Sequence, residues 1–272
     1  MRLERDVPFE HFDFLITNFK KMAKQKGIIP LQGTLGNITF FKSKDGYGAR
    51  EKGSLDANRI ANDPAFQRTR ENGAEFGRAG KAGKVLRTAF RSLLQNASDG
   101  RMISRMTKEM MRAIKADGTN PRGFRNVIDG EAELLNGFEF NVNSKLGTTL
   151  YAPFTHNINR ATGELSVNIP SFSPVNLVAA PSGATHFRIV SAGAEIDFEA
   201  ESYVADVKAT ADLPWDGTAT VAINLLNNVP VGSTKVLVLI LGIEFYQEVN
   251  GVKYSLKNGA FNSLAIVNVS GE

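Results

Sequence analysis

Arg101, Arg105, Lys108, Arg112 and Lys115 recur at steps of 4, 3, 4 and 3. On a helix that spacing puts all five cations on one face. Lys81, Lys84, Arg87 and Arg91 repeat the pattern upstream, with Arg78 nearby. Stripes of this kind attract phosphates, because neutralising a polyanion releases its condensed counterions. Only Glu109 offers a carboxylate within the second stripe. Three destinations suit such a surface: solvent, nucleic acid, or an acidic protein surface, this chain's own included. No aromatic interleaves the basic face, which argues against base stacking on a single strand.

The acidic counterpart lies downstream. Glu195, Asp197, Glu199 and Glu201 alternate along one expected strand. Alternation places them on one side, where like charges repel. A solvated outer face, a Ca²⁺ site and a mate for the basic helices are the three readings. The charge is split along the chain. Residues 1–130 carry 25 Lys and Arg against 14 Asp and Glu, a net of +11. Residues 131–272 carry 7 against 14, a net of −7. Such asymmetry points to an acidic partner or to two halves that meet.

Other chemistry finds little support. Zero cysteines remove disulfides, thiol nucleophiles and Cys-ligated metals, and they suit a reducing compartment. His11, His156 and His186 are far apart, with no metal-ligand spacing, so structural roles are expected for His156 and His186. The run Gly77-Arg-Ala-Gly-Lys-Ala-Gly-Lys84 lacks phosphate-loop spacing, and Val85 follows where Ser or Thr is needed. No Gly-x-Ser-x-Gly elbow is present. Trp215 reads as a core anchor beside a turn. The expectation is therefore no enzyme, no cofactor and no metal. The longest apolar run, residues 236–243, is far short of the roughly 20 residues of a membrane helix. The N-terminus is too charged for a secretory signal, so no membrane association and a cytoplasmic location are expected.

These residues need elements to position them. Residues 37–41 are β-branched and aromatic, Asp45-Gly46 supplies a turn, and residues 47–50 can return as a second strand. Residues 64–95 read as a helix, with Pro64 in its first turn and Asn62 or Asp63 as cap. Phe76, Ala79, Gly83, Leu86, Phe90 and Leu93 form its apolar stripe. Gly73, Gly77, Gly80 and Gly83 each cost about 1 kcal/mol against Ala, which suggests close approach by another backbone, the favoured reading, or a break between two shorter helices. A second helix is expected over 101–116, with Ile103, Met106, Met110 and Ala113 inward and Met102 and Ile114 widening the stripe. The pair would make a helical hairpin. A short helix could follow at 131–136.

From about residue 138 the period changes to two. Strands are expected at 138–142, 149–154, 165–169, 186–191, 203–207, 218–225, 235–249, 253–256 and 263–269. Asn250-Gly251 is the strongest hairpin signal, and a bend or bulge is expected near Gly242. The expected class is α+β: an N-terminal β-hairpin with a basic helical hairpin, then an immunoglobulin-like β-sandwich. Three segments follow: 1–21, a leader or mis-annotated start; 22–130, the basic domain; and 131–272, the acidic sandwich.

Four stretches carry a resemblance: residues 27–36 (GIIPLQGTLG), 41–46 (FKSKDG), 62–70 (NDPAFQRTR) and 181–190 (PSGATHFRIV). From Met22 onward the chain resembles a group of uncharacterised Bacteroidetes proteins. They have a Met-Ala-Lys start, a Gly-rich hairpin, a Gln/Arg helix start and a β-rich second half. The resemblance implies a cytoplasmic bacterial protein and brings no known activity. The leading functional expectation is a structural or assembly protein of phage-like type, a homo-oligomer joined head to tail through its basic and acidic surfaces. The alternatives are a nucleic-acid-binding protein and a ligand- or glycan-binding sandwich.

Overall fold

The computed structural model describes residues 23–24, 31–43, 46–51 and 56–271. The expected leader at 1–21 and Asp45 of the first turn lie outside the described residues. The chain forms two compact units, Met1–Ile60 and Ala61–Glu272. The class is α+β, with helices and antiparallel sheets in one chain.

The first unit holds β1 (Ala23–Lys24), β2 (Gly33–Leu35), β3 (Ile38–Ser43) and β4 (Gly46–Glu51) in one antiparallel sheet, order β1-β4-β3-β2. The expected β3–β4 hairpin is present, with Ser43 opposite Gly46. Helix α1 (Ala57–Asn62) runs across the division between the units.

In the second unit the Asp63 side chain caps a 3₁₀ turn, Pro64–Phe66, by accepting the Ala65 N–H at 2.9 Å. Helix α2 (Gln67–Ala89) follows, then α3 (Arg91–Leu94), α4 (Met102–Ala116), a 3₁₀ turn at Ala132–Leu135, α5 (Leu146–Thr149) and α6 (Pro174–Leu177). The strands are β5 (Thr155–Asn159), β6 (Glu164–Ile169), β7 (His186–Asp197), β8 (Ser202–Ala209), β9 (Leu213–Pro214), β10 (Ile223–Asn228), β11 (Val236–Val249), β12 (Val252–Ser255) and β13 (Ser263–Ser270).

Three layers result. The middle one is a six-stranded sheet in which β11 pairs with β7, β12 and β13, and β7 also pairs with β8 and β9. One face takes the helices. Val190, Ala192, Ala194, Ile196, Val236, Val238 and Ile240 meet Leu86, Phe90, Met106, Met110 and Ile114 in one core. The other face takes a three-stranded sheet, β10-β6-β5. There Phe187, Ile189, Leu237, Leu239, Leu241, Ile243 and Phe245 meet Leu165, Val167, Ile169 and Leu225. A strand covered on both faces cannot alternate, and this is why residues 236–243 are continuously apolar. The helices before residue 130 and the strands after it thus line a single core.

Several elements differ from the sequence-based expectation. Helical period predicts Phe76 and Ile103 on the apolar stripes, yet they are 61% and 53% exposed. The stripe of α2 is narrower, whereas on α4 Met102, Met106, Met110, Ala113 and Ile114 are in the core as expected. Of the four α2 glycines only Gly83 meets a neighbour among the described residues, with Met106 Cγ 3.3 Å from where a Cβ would sit. Gly73, Gly77 and Gly80 face open space. Residues 138–142 and 149–154 make only isolated bridges, Glu139 to Ala265 and Leu150 to Val178. The Phe140 N–H binds Leu264 O and the Ile266 N–H binds Phe138 O, so this segment lies along β13 without forming a regular strand. The expected strand at 218–225 begins later, at Ile223.

The register shift of the β11–β13 pair falls between Leu239 and Ile240, just before Gly242, and the extra residue, Val267, is on β13. Gly242 has another reason: a Cβ there would lie 2.5 Å from Ser263 O. Asn250 and Gly251 both adopt positive φ, 53° and 78°, in the two-residue turn between Val249 and Val252. That is the backbone a type I′ hairpin demands.

Candidate functional site

The outer faces of α2 and α4 come from helical period alone. With Ala79, Leu86, Met106 and Met110 held in the core, residues about half a turn away must face solvent. Lys81, Lys84, Arg91, Arg101, Lys108, Arg112 and Lys115 are exposed, while Arg87 and Arg105 are half-buried.

Their partners divide them. Arg105 is structural. Its guanidinium donates to Asp99 Oδ2, to Glu139 O at 2.5 Å and to Phe140 O at 3.3 Å, and it stacks on Phe138 with 5.1 Å to the ring centroid. Arg87 Nε donates to Gly83 O one turn back. Arg112 pairs with Glu109 at 2.5 Å, and Lys81 pairs with Glu201 at 3.1 Å. Among the described residues, Lys84, Arg91, Arg101, Lys108 and Lys115 have no ion pair.

Two shallow depressions carry these groups. One, about 380 Å³, is lined by Lys84, Arg87, Thr88, Arg91, Leu94, Gln95 and Met102. The other, also about 380 Å³, runs beside α4 and includes Arg105, Lys108, Arg112 and Lys145, with Glu109 and Glu139 as its carboxylates. An anion in either would meet several cations at once.

The acidic set does not form one alternating face. Strand β7 ends at Asp197, and Glu199 and Glu201 lie in the turn before β8. The reason is local. Asp197 Oδ1 accepts the Glu199 and Ala200 N–H groups, which bends the chain, and Glu201 adopts φ 52°. Asp197 is also held by Lys235 Nζ at 2.7 Å, and that bond draws its carboxyl below the usual range. Glu195 is buried. Only Glu199 and Glu201 remain exposed. They share a cleft of about 500 Å³ with Arg78, Lys81, Phe198 and Asp129, so basic helix and acidic turn do meet within one chain.

Sequence reasoning missed three buried polar centres. Arg125 grips Glu75, whose carboxylate also accepts the Gly123 N–H at 2.9 Å. Asp117 accepts N–H groups from Thr119, Asn120 and Asn126 and the Asn120 side-chain amide. Glu244 accepts from the Tyr246 hydroxyl at 2.7 Å and from Asn96 Nδ2 at 3.2 Å. Burial and that bond push the Tyr246 phenol upward, so it stays a donor. Arg188 lies over the Tyr246 ring and pairs with Asp212. These groups answer one another, which is the mark of a structural network.

His186 sits between Thr185 Oγ1 and Glu248, and Trp215 Nε1 donates to Val178 O at 3.1 Å. His156 lines a pocket of about 250 Å³ with Glu139, whose carboxyl is raised by burial. The His156 and Glu139 backbones come from distant segments, so no local spacing could have paired them. Among the described residues no cluster of three or more His, Cys, Asp or Glu could hold a metal ion. Among them, too, no helix is long and apolar enough to cross a membrane. No family model, curated protein or solved structure matches this chain.

Proposed function

We propose that this is a non-enzymatic binding protein that docks nucleic acid on the outer face of α2 and α4. The observation that carries the reading is the set of exposed cations without a carboxylate partner among the described residues: Lys84, Arg91, Arg101, Lys108 and Lys115. The face is built on helices anchored in a core, so it is rigid, and phosphates would release counterions on meeting it. The chain's own acidic residues satisfy little of it. Asp99 and Glu109 hold Arg105 and Arg112, Asp197 is taken by Lys235, Glu195 is buried, and of the downstream acidic set only Glu201 reaches a helix cation among the described residues. The test is duplex DNA and RNA affinity across a salt series. A log–log slope of about −3 or steeper supports the reading. A flat response, or no binding at low salt, overturns it.

A second reading, a self-assembling structural protein of phage-like type, is favoured by the Lys81–Glu201 contact. Both side chains are well exposed, at 70% and 46%, so the pair can be exchanged for the same pair with a neighbour. Light scattering at low and high salt separates the readings: a defined particle that loosens with salt supports assembly, and a monomer at both salts overturns it. Two antiparallel sheets sharing a core support an immunoglobulin-like reading of the β half, with helices covering a face that such sandwiches leave to solvent. The cysteine-free composition suits a cytoplasmic setting.

A further inference from the structure

The three-stranded sheet turns one face to the core and one to solvent. Leu165, Val167 and Ile169 point inward, as do Ile223 and Leu225. Strand register then fixes the outer face in three cross-strand rows: Thr155–Asn168–Asn224, Asn157–Ser166–Leu226 and Asn159–Glu164–Asn228. Five of these nine residues are asparagine, and one is charged. Asparagine is disfavoured in strands, where Thr, Val or Ile would serve the backbone better. A surface that only needs solubility uses Lys and Glu, at roughly a quarter to a third of positions. Asn159 has a local task, since its Oδ1 accepts the Ala161 and Thr162 N–H groups of the following turn. The side-chain amides of Asn157, Asn168, Asn224 and Asn228 have no partner among the described residues.

The first row runs into a groove of about 310 Å³. Thr155, Asn168 and Asn224 form its polar part, and Pro153, Phe154, Pro170 and Ala222 belong to its apolar wall. Among the described residues, no Lys, Arg, Asp or Glu lines it. Its size is that of a small-ligand site. The Phe154 ring is half-buried and tilted against His156, with centroids 6.2 Å apart.

We infer that this groove and the amide face beyond it bind a neutral polyhydroxylated ligand, an oligosaccharide. Each amide offers donors and an acceptor together, as each sugar hydroxyl does. The apolar wall suits the C–H faces of a pyranose ring. The absence of charge from the groove disfavours phosphates and acidic sugars, which would gain nothing there. The site is independent of the basic helix face.

The test titrates the full chain with neutral linear hexasaccharides of β-1,4-glucose, α-1,4-glucose and β-1,4-N-acetylglucosamine, at low and at high salt, by calorimetry. At least one should bind, with affinity unchanged by salt. Asn168→Ala and Asn224→Ala should each weaken it at least 10-fold, while Lys108→Ala should not. In the wild-type chain, saturation should shift the side-chain amide resonances of Asn168 and Asn224, a readout that does not depend on any variant folding. No binding at millimolar sugar, binding unmoved by both asparagine variants, or binding that collapses with salt overturns the inference. None of these outcomes bears on the nucleic-acid reading, which the salt series tests separately.

Discussion

Arg125 holds Glu75 with two parallel bonds, Nε to Oε1 and Nη2 to Oε2, each 2.8 Å long. The two residues are 50 positions apart, and both are largely removed from solvent, with side chains 15% and 1% exposed. Arg125 lies in the loop after α4, and Glu75 faces it from α2. Arg78 fixes the same loop by donating to Gly123 O and Arg125 O. The Arg125 bond pulls the Glu75 carboxyl below its usual range, against the opposing push of burial. Removing one partner leaves the other charge buried alone. Arg125→Ala and Glu75→Ala are each expected to cost about 3–5 kcal/mol in denaturant unfolding, and the double variant less than their sum. Additive losses would show that the pair is not coupled.

Asp117 makes the fold sensitive to acid. Burial raises its carboxyl, but the Asn120, Asn126 and Thr119 N–H groups and the Asn120 amide outweigh that and hold it at about 2. The folded value lies below the unfolded one, so the ionised form stabilises the fold. That stabilisation is complete above about pH 4 and is lost as pH falls through about 2. Unfolding midpoints of wild type and Asp117→Asn should therefore differ near neutral pH and converge below pH 2. A constant gap across the range would contradict the assignment.

Cations of one stripe should behave in opposite ways. Arg105→Ala removes bonds to Asp99, Glu139 and Phe140 and is expected to lower stability by about 2–4 kcal/mol. Lys108→Ala and Lys115→Ala should change stability by less than about 0.5 kcal/mol. Each should instead reduce the salt slope of nucleic-acid binding by about 1. Thermal melts and the salt series together check both halves.

The glycines give a similar contrast. Gly73→Ala and Gly77→Ala on an exposed helix face, and Gly80→Ala at a half-buried position, meet no described atom within 4 Å and should each stabilise by about 0.5–1 kcal/mol. Gly242→Ala would drive a methyl against Ser263 O and Leu264, and it should destabilise by about 1–3 kcal/mol. Equal effects at the four positions in unfolding measurements would contradict these contacts.

Period, turn chemistry and charge were legible in the chain alone. The Asp63 cap, the Asn250-Gly251 turn, the α4 methionine stripe and the placing of Lys108 opposite it are local or strictly periodic. Neighbouring residues decide such features, so a linear reading reaches them. The asparagine rows needed register, because three separate strands had to be aligned before Asn168 stood between Thr155 and Asn224. The fate of Arg105 needed tertiary structure as well. Its helical phase matches that of Lys108, but the segment at 138–140 lies against it and supplies carbonyls that no nearby residue announces. The same holds for Phe76 and Gly80, whose surroundings depend on how far the sheet extends beneath α2. Sequence spacing determined which side of each element is apolar. Only packing between distant segments decided which polar groups on the other side find partners and which remain free.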